Sequence, residues 1–314
     1  MPTVGDAVTR TKRLLHSNTR TELDAIHTML PLATTSTIRL KYQTDGIRAG
    51  SYISVGGGTT DPETMYVHAR NGEYATVQRA VDGSTAPTTL GSGEDESWQA
   101  DTTIEVEPRF TEHQIYEAVK DAILAMPNNL YAVNRTTATF STTEQSVTSS
   151  ALATTGFNQV LSATRTARSG EDRLLAFNVK VQEYAGAYEV IRQEGIEKAV
   201  TVNLTYAHPF VTSPLTLGID LVSNVGMTAE MTDIPALGAA ASLLLGEESL
   251  RLDLHSQGDS RSDAAVAAGD RVRYSLVLQA QYDRRVSQEA RRLMAKWGVR
   301  TGAVTSSVFP TSVR

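Results

Sequence analysis

The chain contains no cysteine. Disulfides, thiolate nucleophiles and sulfur metal sites are therefore excluded, and the composition suits a reducing compartment. Aromatic residues are scarce, at 6%, which argues against a deep aromatic pocket. Charge is also sparse: 35 acidic and 29 basic side chains leave a net charge of -6. That mild acidity favours solubility and is not the footprint of a dedicated nucleic-acid binder. No apolar run approaches about eighteen residues, so no membrane-spanning helix is expected. The opening Met1-Pro2-Thr3-Val4-Gly5-Asp6 lacks a basic start followed by an apolar core, and no secretion signal is expected.

The usual catalytic signatures are missing as well. The histidines are His16, His27, His68, His113, His208 and His255, and no two have the four-residue spacing of a helical zinc site. His208, before Pro209, is the least poor solitary candidate. There is no Gly-x-Ser-x-Gly elbow, and no pair of acids is set apart as glycosidase carboxyls. Glu94, Asp95 and Glu96 lie together without the alternation of a calcium loop. Asn134 and Asn203 match the glycosylation pattern and are read as chance matches. No enzymatic activity, cofactor or metal is expected.

What is present is organised around Gly46 to Pro108. A turn at Thr44-Asp45-Gly46 leads to Gly50-Ser51-Tyr52-Ile53-Ser54-Val55. Met65 to Ala69, Tyr74 to Arg79 and Thr102 to Glu107 follow, with turns at Asn71-Gly72 and Asp82-Gly83. Short extended segments between turns predict a small antiparallel sheet or barrel. The run 56–61, Gly-Gly-Gly-Thr-Thr-Asp, lacks the lysine of a phosphate loop and reads as flexible. Thr88 to Asp101 reads as a mobile loop.

The flanks look helical. Val4 to Met29 is expected as a helix interrupted near Asn18, with Leu23, Ile26 and Leu30 on one face and Pro31 as the stop. Thr34 to Tyr42 is a first strand. Thr111 to Met126 is the clearest helix: Thr111 and Gln114 have capping-box spacing, and Ile115, Val119 and Ile123 share a face. Strands are expected at Tyr131–Val133, Thr137–Ser141, Asn158–Thr164, Leu174–Glu183, Tyr188–Ile191, Lys198–Tyr206 and Thr216–Leu221. Val200, Val202, Leu204 and Tyr206 fall on one side of theirs. An Ala/Leu-rich helix starts at Ile234 and is expected to stop at Gly246. Leu250 to Leu254 fits helix or strand. Asp270 to Trp297 reads as one long helix, although Val272, Tyr274, Leu276, Leu278, Ala280 and Tyr282 alternate as in a strand.

The fold class is therefore α+β: a small antiparallel β-barrel-like domain with helical flanks, a β-sandwich-like central domain and a C-terminal helical segment. The expected divisions are an N-terminal helical segment 1–31, the barrel-like domain with its helix 32–130, the sandwich-like domain 131–232, the helical region 233–300 and a flexible tail 301–314. Basic residues gather near the two ends, Arg10, Lys12, Arg13 and Arg20 at one and Arg284, Arg285, Arg291, Arg292, Lys296 and Arg300 at the other. Each group is either a solvated helix face or a surface for acidic neighbours or passing DNA.

Three stretches resemble a module of structural proteins of tailed bacteriophages. They are Ile47 to Val55, Glu63 to Val67, and Thr76-Val77-Gln78-Arg79-Ala80-Val81-Asp82-Gly83-Ser84-Thr85-Ala86. The similarity runs upstream through Lys12-Arg13-Leu14-Leu15 and downstream through Pro108-Arg109-Phe110 into the helix at Thr111. Ala80 stands where those proteins have glycine after the arginine, and Ser84 where they have threonine. Their histidine after the turn is absent at Pro87-Thr88-Thr89, and the loop is lengthened by Glu94 to Trp98. The resemblance implies a noncatalytic virion subunit of the neck, adaptor, tail-terminator or baseplate type. Such a subunit forms a homo-oligomeric ring at the head-to-tail interface around the DNA channel and is assembled in the host cytoplasm. Its partners are other neck, tail and portal proteins, with nonspecific proximity to double-stranded DNA and no membrane. Arg10, Lys12, Arg13, Arg20, Arg284, Arg285, Arg291, Arg292 and Lys296 are then candidate channel or inter-subunit contacts. The alternative is a baseplate or tail-tip subunit that binds a receptor or carbohydrate through the central sandwich; a glycan hydrolase is a more distant third.

Overall fold

The computed structural model describes residues 2–15, 22–25, 30–31, 35–42, 46–57, 60–86, 96–98, 102–106, 108–127, 129–149, 152, 157–166, 174–184, 187–196, 199–210, 215–256 and 270–297. The chain mixes helix and strand, with antiparallel sheets, one of them curled into a half-barrel. It divides into two compact units. One holds residues 1–125, 212–224 and 229–285, and the other holds 126–211, 225–228 and 286–314.

The first unit begins with helix α1, Val4–Leu15. Its N-terminus is capped reciprocally. Asp6 N–H donates to Thr3 Oγ1 at 3.2 Å, and Thr3 N–H donates to Asp6 Oδ2 at 2.8 Å. Two more first-turn donors find partners far along the chain. Val4 N–H bonds Ile219 O at 3.0 Å and Gly5 N–H bonds Leu217 O at 2.9 Å. The 217–219 carbonyls thus satisfy groups that a helix start always leaves open. Thr216–Leu221 is consequently a turn with one bridge, Thr3 to Asp220, and not the expected strand.

The half-barrel is a six-stranded antiparallel sheet in the order β1-β8-β4-β5-β6-β3. Its strands are β1 (Glu22–Ala25), β3 (Thr35–Arg39), β4 (Tyr52–Gly57), β5 (Thr60–Asn71), β6 (Tyr74–Gln78) and β8 (Thr103–Val106). Alternation decides which face is buried. Ile53 and Val55, Met65 and Val67, Ala75 and Val77, and Ile104 and Val106 all enter one core with Ile38, Leu40 and Ile47. The second half of the expected N-terminal helix is corrected here. Glu22–Ala25 is an edge strand paired with Thr103–Val106, and its ladder partner lies too far along the chain for local periodicity to reveal. A second correction concerns the loop after residue 88: Glu96–Trp98 (β7) pairs with Leu30–Pro31 (β2). Ile26 and Met29, Glu94 and Asp95, and the tail 301–314 lie outside the described residues.

Helix α2, Glu112–Leu124, carries the expected capping box at Thr111 and Gln114. Ile115, Val119 and Ile123 are fully buried, and the helix packs on β4 and β5 and against α1. Helix α3 runs from Ile234 to Ser256, past the expected stop at Gly246. A lone glycine inside a helix costs only about 1 kcal/mol relative to alanine. Helix α4, Asp270–Trp297, is one continuous helix. Contacts between Ala241 and Ser275 (2.8 Å), Gly238 and Tyr282, and Asp233 and Arg285 run in opposite directions along α3 and α4. The two helices therefore form an antiparallel hairpin. A Cβ on Gly238 would meet the Tyr282 ring at 3.2 Å and Ala122 at 3.4 Å, so this glycine permits the close helix crossing. The strand-like alternation in α4 has a consequence: it winds apolar residues around the helix. Leu278 is buried, while Leu276 is 62% exposed and Tyr274 40% exposed.

The second unit contains two further antiparallel sheets, in the orders β12-β11-β15-β9 and β10-β14-β13. The first holds β9 (Ala132–Phe140), β11 (Gln159–Thr166), β12 (Leu174–Ala176) and β15 (Val200–His208). The second holds β10 (Ser146–Thr148), β13 (Val179–Tyr184) and β14 (Ala187–Arg192). The segments expected separately at 131–133 and 137–141 are one strand. The segment expected whole at 174–183 breaks at Phe177, whose ring turns inward to lie 6.2 Å from Phe140. Both sheets feed one core: Phe140, Val202, Leu204 and Tyr206 come from the first, and Val179, Val181 and Val190 from the second.

His208 ends β15 and is 5% exposed, with Nδ1 placed 2.7 Å from Pro209 O. Nearby Gly226 has φ 89, and a Cβ there would meet Ala132 at 2.7 Å. Burial pushes the imidazole below its ordinary value, and the bond to Pro209 only partly opposes that. Since the folded value is depressed, the unfolded imidazole, near 6.5, takes its proton first as pH falls. The contribution is complete above about pH 6.5 and is lost as pH drops from there through the folded value. Urea midpoints should therefore fall on acidification below about pH 6.5, and His208→Gln should flatten that fall. An unchanged slope in the variant would refute the assignment.

Candidate functional site

The densest polar chemistry in the first unit lies where β5, the turn after β6 and the start of α2 meet. Glu63 is in phase with Met65 and Val67 on β5, so alternation buries it. Its carboxylate is fully enclosed and faces Arg79, which is 3% exposed. Arg79 Nε donates to Glu63 Oε1 at 2.9 Å, and Nη2 donates to Oε2. The fork-on-fork geometry suits guanidinium and carboxylate, and a buried charge persists only with such a partner.

The turn that follows is built on the same carboxylate. Ala80 N–H donates to Glu63 Oε1 at 3.0 Å. Ala80 and Asp82 are both left-handed, at φ 56, and Gly83 is at φ 75. Val81 N–H reaches Thr64 O at 3.0 Å. Ser84 Oγ accepts from Thr64 N–H at 3.0 Å and donates to Val81 O at 2.7 Å. Asp82 then accepts from Gln114 Nε2 at 2.9 Å, joining the turn to the capping box of α2.

The first residue of α2 continues the network. Glu112 N–H donates to Ser54 Oγ at 2.9 Å. The Glu112 carboxylate lies against Gly56, where a Cβ would fall 2.2 Å from its carboxyl carbon. This corrects the reading of the glycine run as merely flexible: Gly56 is required by close approach. The same carboxylate holds Lys12 of α1, whose Nζ also lies 2.8 Å from Glu105 of β8. Burial alone would lower the Lys12 value, but Glu112 and Glu105 outweigh it and hold the ammonium above its ordinary range. Glu105 Oε2 is buried without a partner among the described residues. Tyr116 OH donates to Leu215 O. Burial first, and Asp61 second, push its phenol upward.

The residues expected to form basic contacts separate into distinct roles. Lys12 is turned inward by the two glutamates, which corrects its place in an outward cluster. Arg10, with its side chain 55% exposed, approaches Asp233 at 3.8 Å. Arg285 holds the same carboxylate with two bonds of 3.0 Å and donates to Glu230 O at 2.6 Å. Two cations from opposite ends of the sequence therefore share one acid at the start of α3. Arg13 and Arg284 are exposed, and Arg20 lies outside the described residues. In the second unit, Arg291 is exposed, Arg292 approaches Glu289 at 3.3 Å, and Lys296 lies over the Trp297 ring at 5.4 Å.

His68 is exposed on the sheet and stands edge-on to Tyr66 at 5.1 Å, and Tyr66 meets Tyr52 at 5.3 Å. No group of three or more metal-ligating side chains occurs among the described residues. No helix among them is long and apolar enough to cross a membrane. Glu63, Glu105 and Glu112 each face a cation, and Asp82 accepts from the Gln114 side-chain amide. The arrangement can fasten elements together, and it presents no nucleophile beside a base.

Glu63 and Asp233 had no assigned role in the sequence. Glu63 carried a signal, because a charge in phase with Met65 and Val67 must be buried and paired. Asp233 carried none, because its partners come from helices far away in the chain.

Arg79→Met should cost about 3–5 kcal/mol of folding free energy, because it strands the Glu63 charge in the core. Adding Glu63→Gln should recover much of that loss while keeping the Ala80 bond. Urea unfolding of the two single variants and the double variant measures the coupling; additive losses would contradict the pairing. In comparisons with known proteins, no family model and no curated protein matches this chain.

Proposed function

We propose that the chain is a noncatalytic structural subunit of a tailed-bacteriophage particle. In this reading, identical copies form a ring at the head-to-tail interface around the DNA channel. One observation carries it. The proteins that the 47–86 region resembles have glycine where this chain has Ala80, and the backbone at Ala80 is left-handed. Glycine takes that conformation freely, whereas alanine takes it at a cost. The turn shape that the motif implies is thus kept here by the Glu63–Arg79 pair although its glycine is gone.

Other features support the reading. The three motif stretches contribute neighbouring strands β4, β5 and β6 of one sheet. The sheet ends in short strands, β1 and β3, whose outer edges offer backbone groups to a neighbour. Head-to-tail contacts between identical copies close into rings when the rotation allows. The exposed Arg13, Arg284, Arg291 and Lys296 are read as contacts to acidic neighbours or to DNA sliding past, which needs no base recognition. The two sheets around Phe140 and Tyr206 are read as a β-sandwich. Partners would be portal, neck and tail proteins, and the compartment the virion after assembly in the host cytoplasm.

A second reading, a baseplate or tail-tip subunit with a receptor- or carbohydrate-binding role, draws on the two sheets of the second unit, which share the core around Phe140 and Tyr206. Sedimentation of the purified chain and negative-stain imaging test the first reading. It expects one discrete multi-copy species with a central hole. A chain that stays monomeric at every accessible concentration and binds a glycan array through the loops of the central sandwich would favour the second.

A further inference from the structure

Arg165 stands on β11 in phase with Ala163, which is buried. In the ladder it is opposite Val202 of β15 and Leu175 of β12. Directly opposed residues share a face of the sheet, and Val202 is fully buried in the core that both sheets feed. The arginine therefore leaves its strand on the core side. Its guanidinium lies over the Phe177 ring, 5.6 Å from the centroid. Arg165 as a whole is half-buried, so part of it meets solvent.

The first unit shows what a charge in such a position requires. Alternation also places Glu63 inside, and Arg79 answers it with two bonds. Among the described residues Arg165 has no such answer. Its Nε–H is buried without a hydrogen-bond partner, and no ion pair to an acid forms there. Glu194 comes to the residue after Phe177, but its Oε1 takes the Asn178 amide at 3.2 Å. A ring face offsets part of the cost of burying a guanidinium and leaves the N–H donors unmet.

We propose that Arg165 anchors the carboxylate of a small ligand from outside the chain. A carboxylate meets one edge of a guanidinium with two parallel bonds and brings the negative charge that the site lacks. A doubly charged phosphate would leave one charge unmet beside a lone arginine, so a monoanion suits it better. The apolar walls of Val202 and Phe177 lower the local dielectric and strengthen such a bond. A sugar acid and a simple organic acid share this chemistry. The inference needs no second copy of the chain and does not depend on the ring reading.

The test uses the full chain, urea unfolding and the Nε–H resonance of Arg165, identified as the one lost in Arg165→Met. Sodium glucuronate, sodium acetate or both should raise the urea midpoint saturably at matched ionic strength and shift that resonance, whereas glucose and inorganic phosphate should not. Glucuronate acting alone or at lower concentration marks a sugar acid; acetate acting as well or better marks a simple organic acid. Arg165→Lys keeps the charge without the fork and should weaken binding by about tenfold. Arg165→Met should abolish it and leave the ligand-free midpoint unchanged or higher, because it removes a charge without a partner. A lower ligand-free midpoint in Arg165→Met would show that the chain supplies the anion itself and would overturn the proposal. So would the absence of protection by either carboxylate, protection by phosphate, or carboxylate protection that survives in Arg165→Met.

Discussion

The fold depends on a lysine held between two carboxylates. Lys12 comes from α1, Glu105 from β8 and Glu112 from the first turn of α2. Without the ammonium, two carboxylates from different elements would face each other in a half-buried site, where like charges are costly. With it, α1 and α2 are both tied to the curled sheet. Gly56 leaves the room that Glu112 occupies, and Ser54 receives the Glu112 amide. Apolar packing then completes the arrangement: Ile115, Val119 and Ile123 of α2 are buried, α3 lies on α1 and α2, and α4 lies on α3. Burial supplies most of the free energy. The ionic contacts determine which faces of α1 and α2 are turned inward.

The same logic applies at the motif turn. Glu63 bonds the Arg79 guanidinium and the Ala80 amide together, and Ser84 closes the loop from the other side. Such a turn holds a residue other than glycine in a left-handed conformation because several bonds over-determine it. The Asp82–Gln114 bond carries that rigidity into α2. The turn, the helix cap and the Lys12 site are therefore steps of one hydrogen-bonded path, and not separate features.

Where the decisive interaction was local, it could be read in the sequence. Thr111 and Gln114 announced the cap of α2, and Asn71-Gly72 with the flanking alternation announced the β5–β6 hairpin. Val202, Leu204 and Tyr206 alternated and are buried together. Where the partner is distant, the pattern misled. Leu23 and Ile26 have helical spacing, yet Glu22–Ala25 pairs with Thr103–Val106. Thr216–Leu221 has strand composition, yet its carbonyls cap α1. Lys12 looked like its neighbours Arg10 and Arg13, and only the approach of Glu105 and Glu112 turns it inward. The alternation in α4 was read as a conflict between strand and helix. In the helix it leaves Tyr274 and Leu276 as exposed apolar surface.

The central claim is that α1, α2 and the curled sheet behave as one body fastened at Lys12. Native-state hydrogen exchange tests it directly. Amides of Val8 and Thr11 in α1, Val119 in α2 and Ile53 and Met65 in the sheet should open with a common free energy. Lys12→Met should lower all of them together. Exchange in α1 that is orders of magnitude faster than in the sheet, and indifferent to Lys12→Met, would contradict the account.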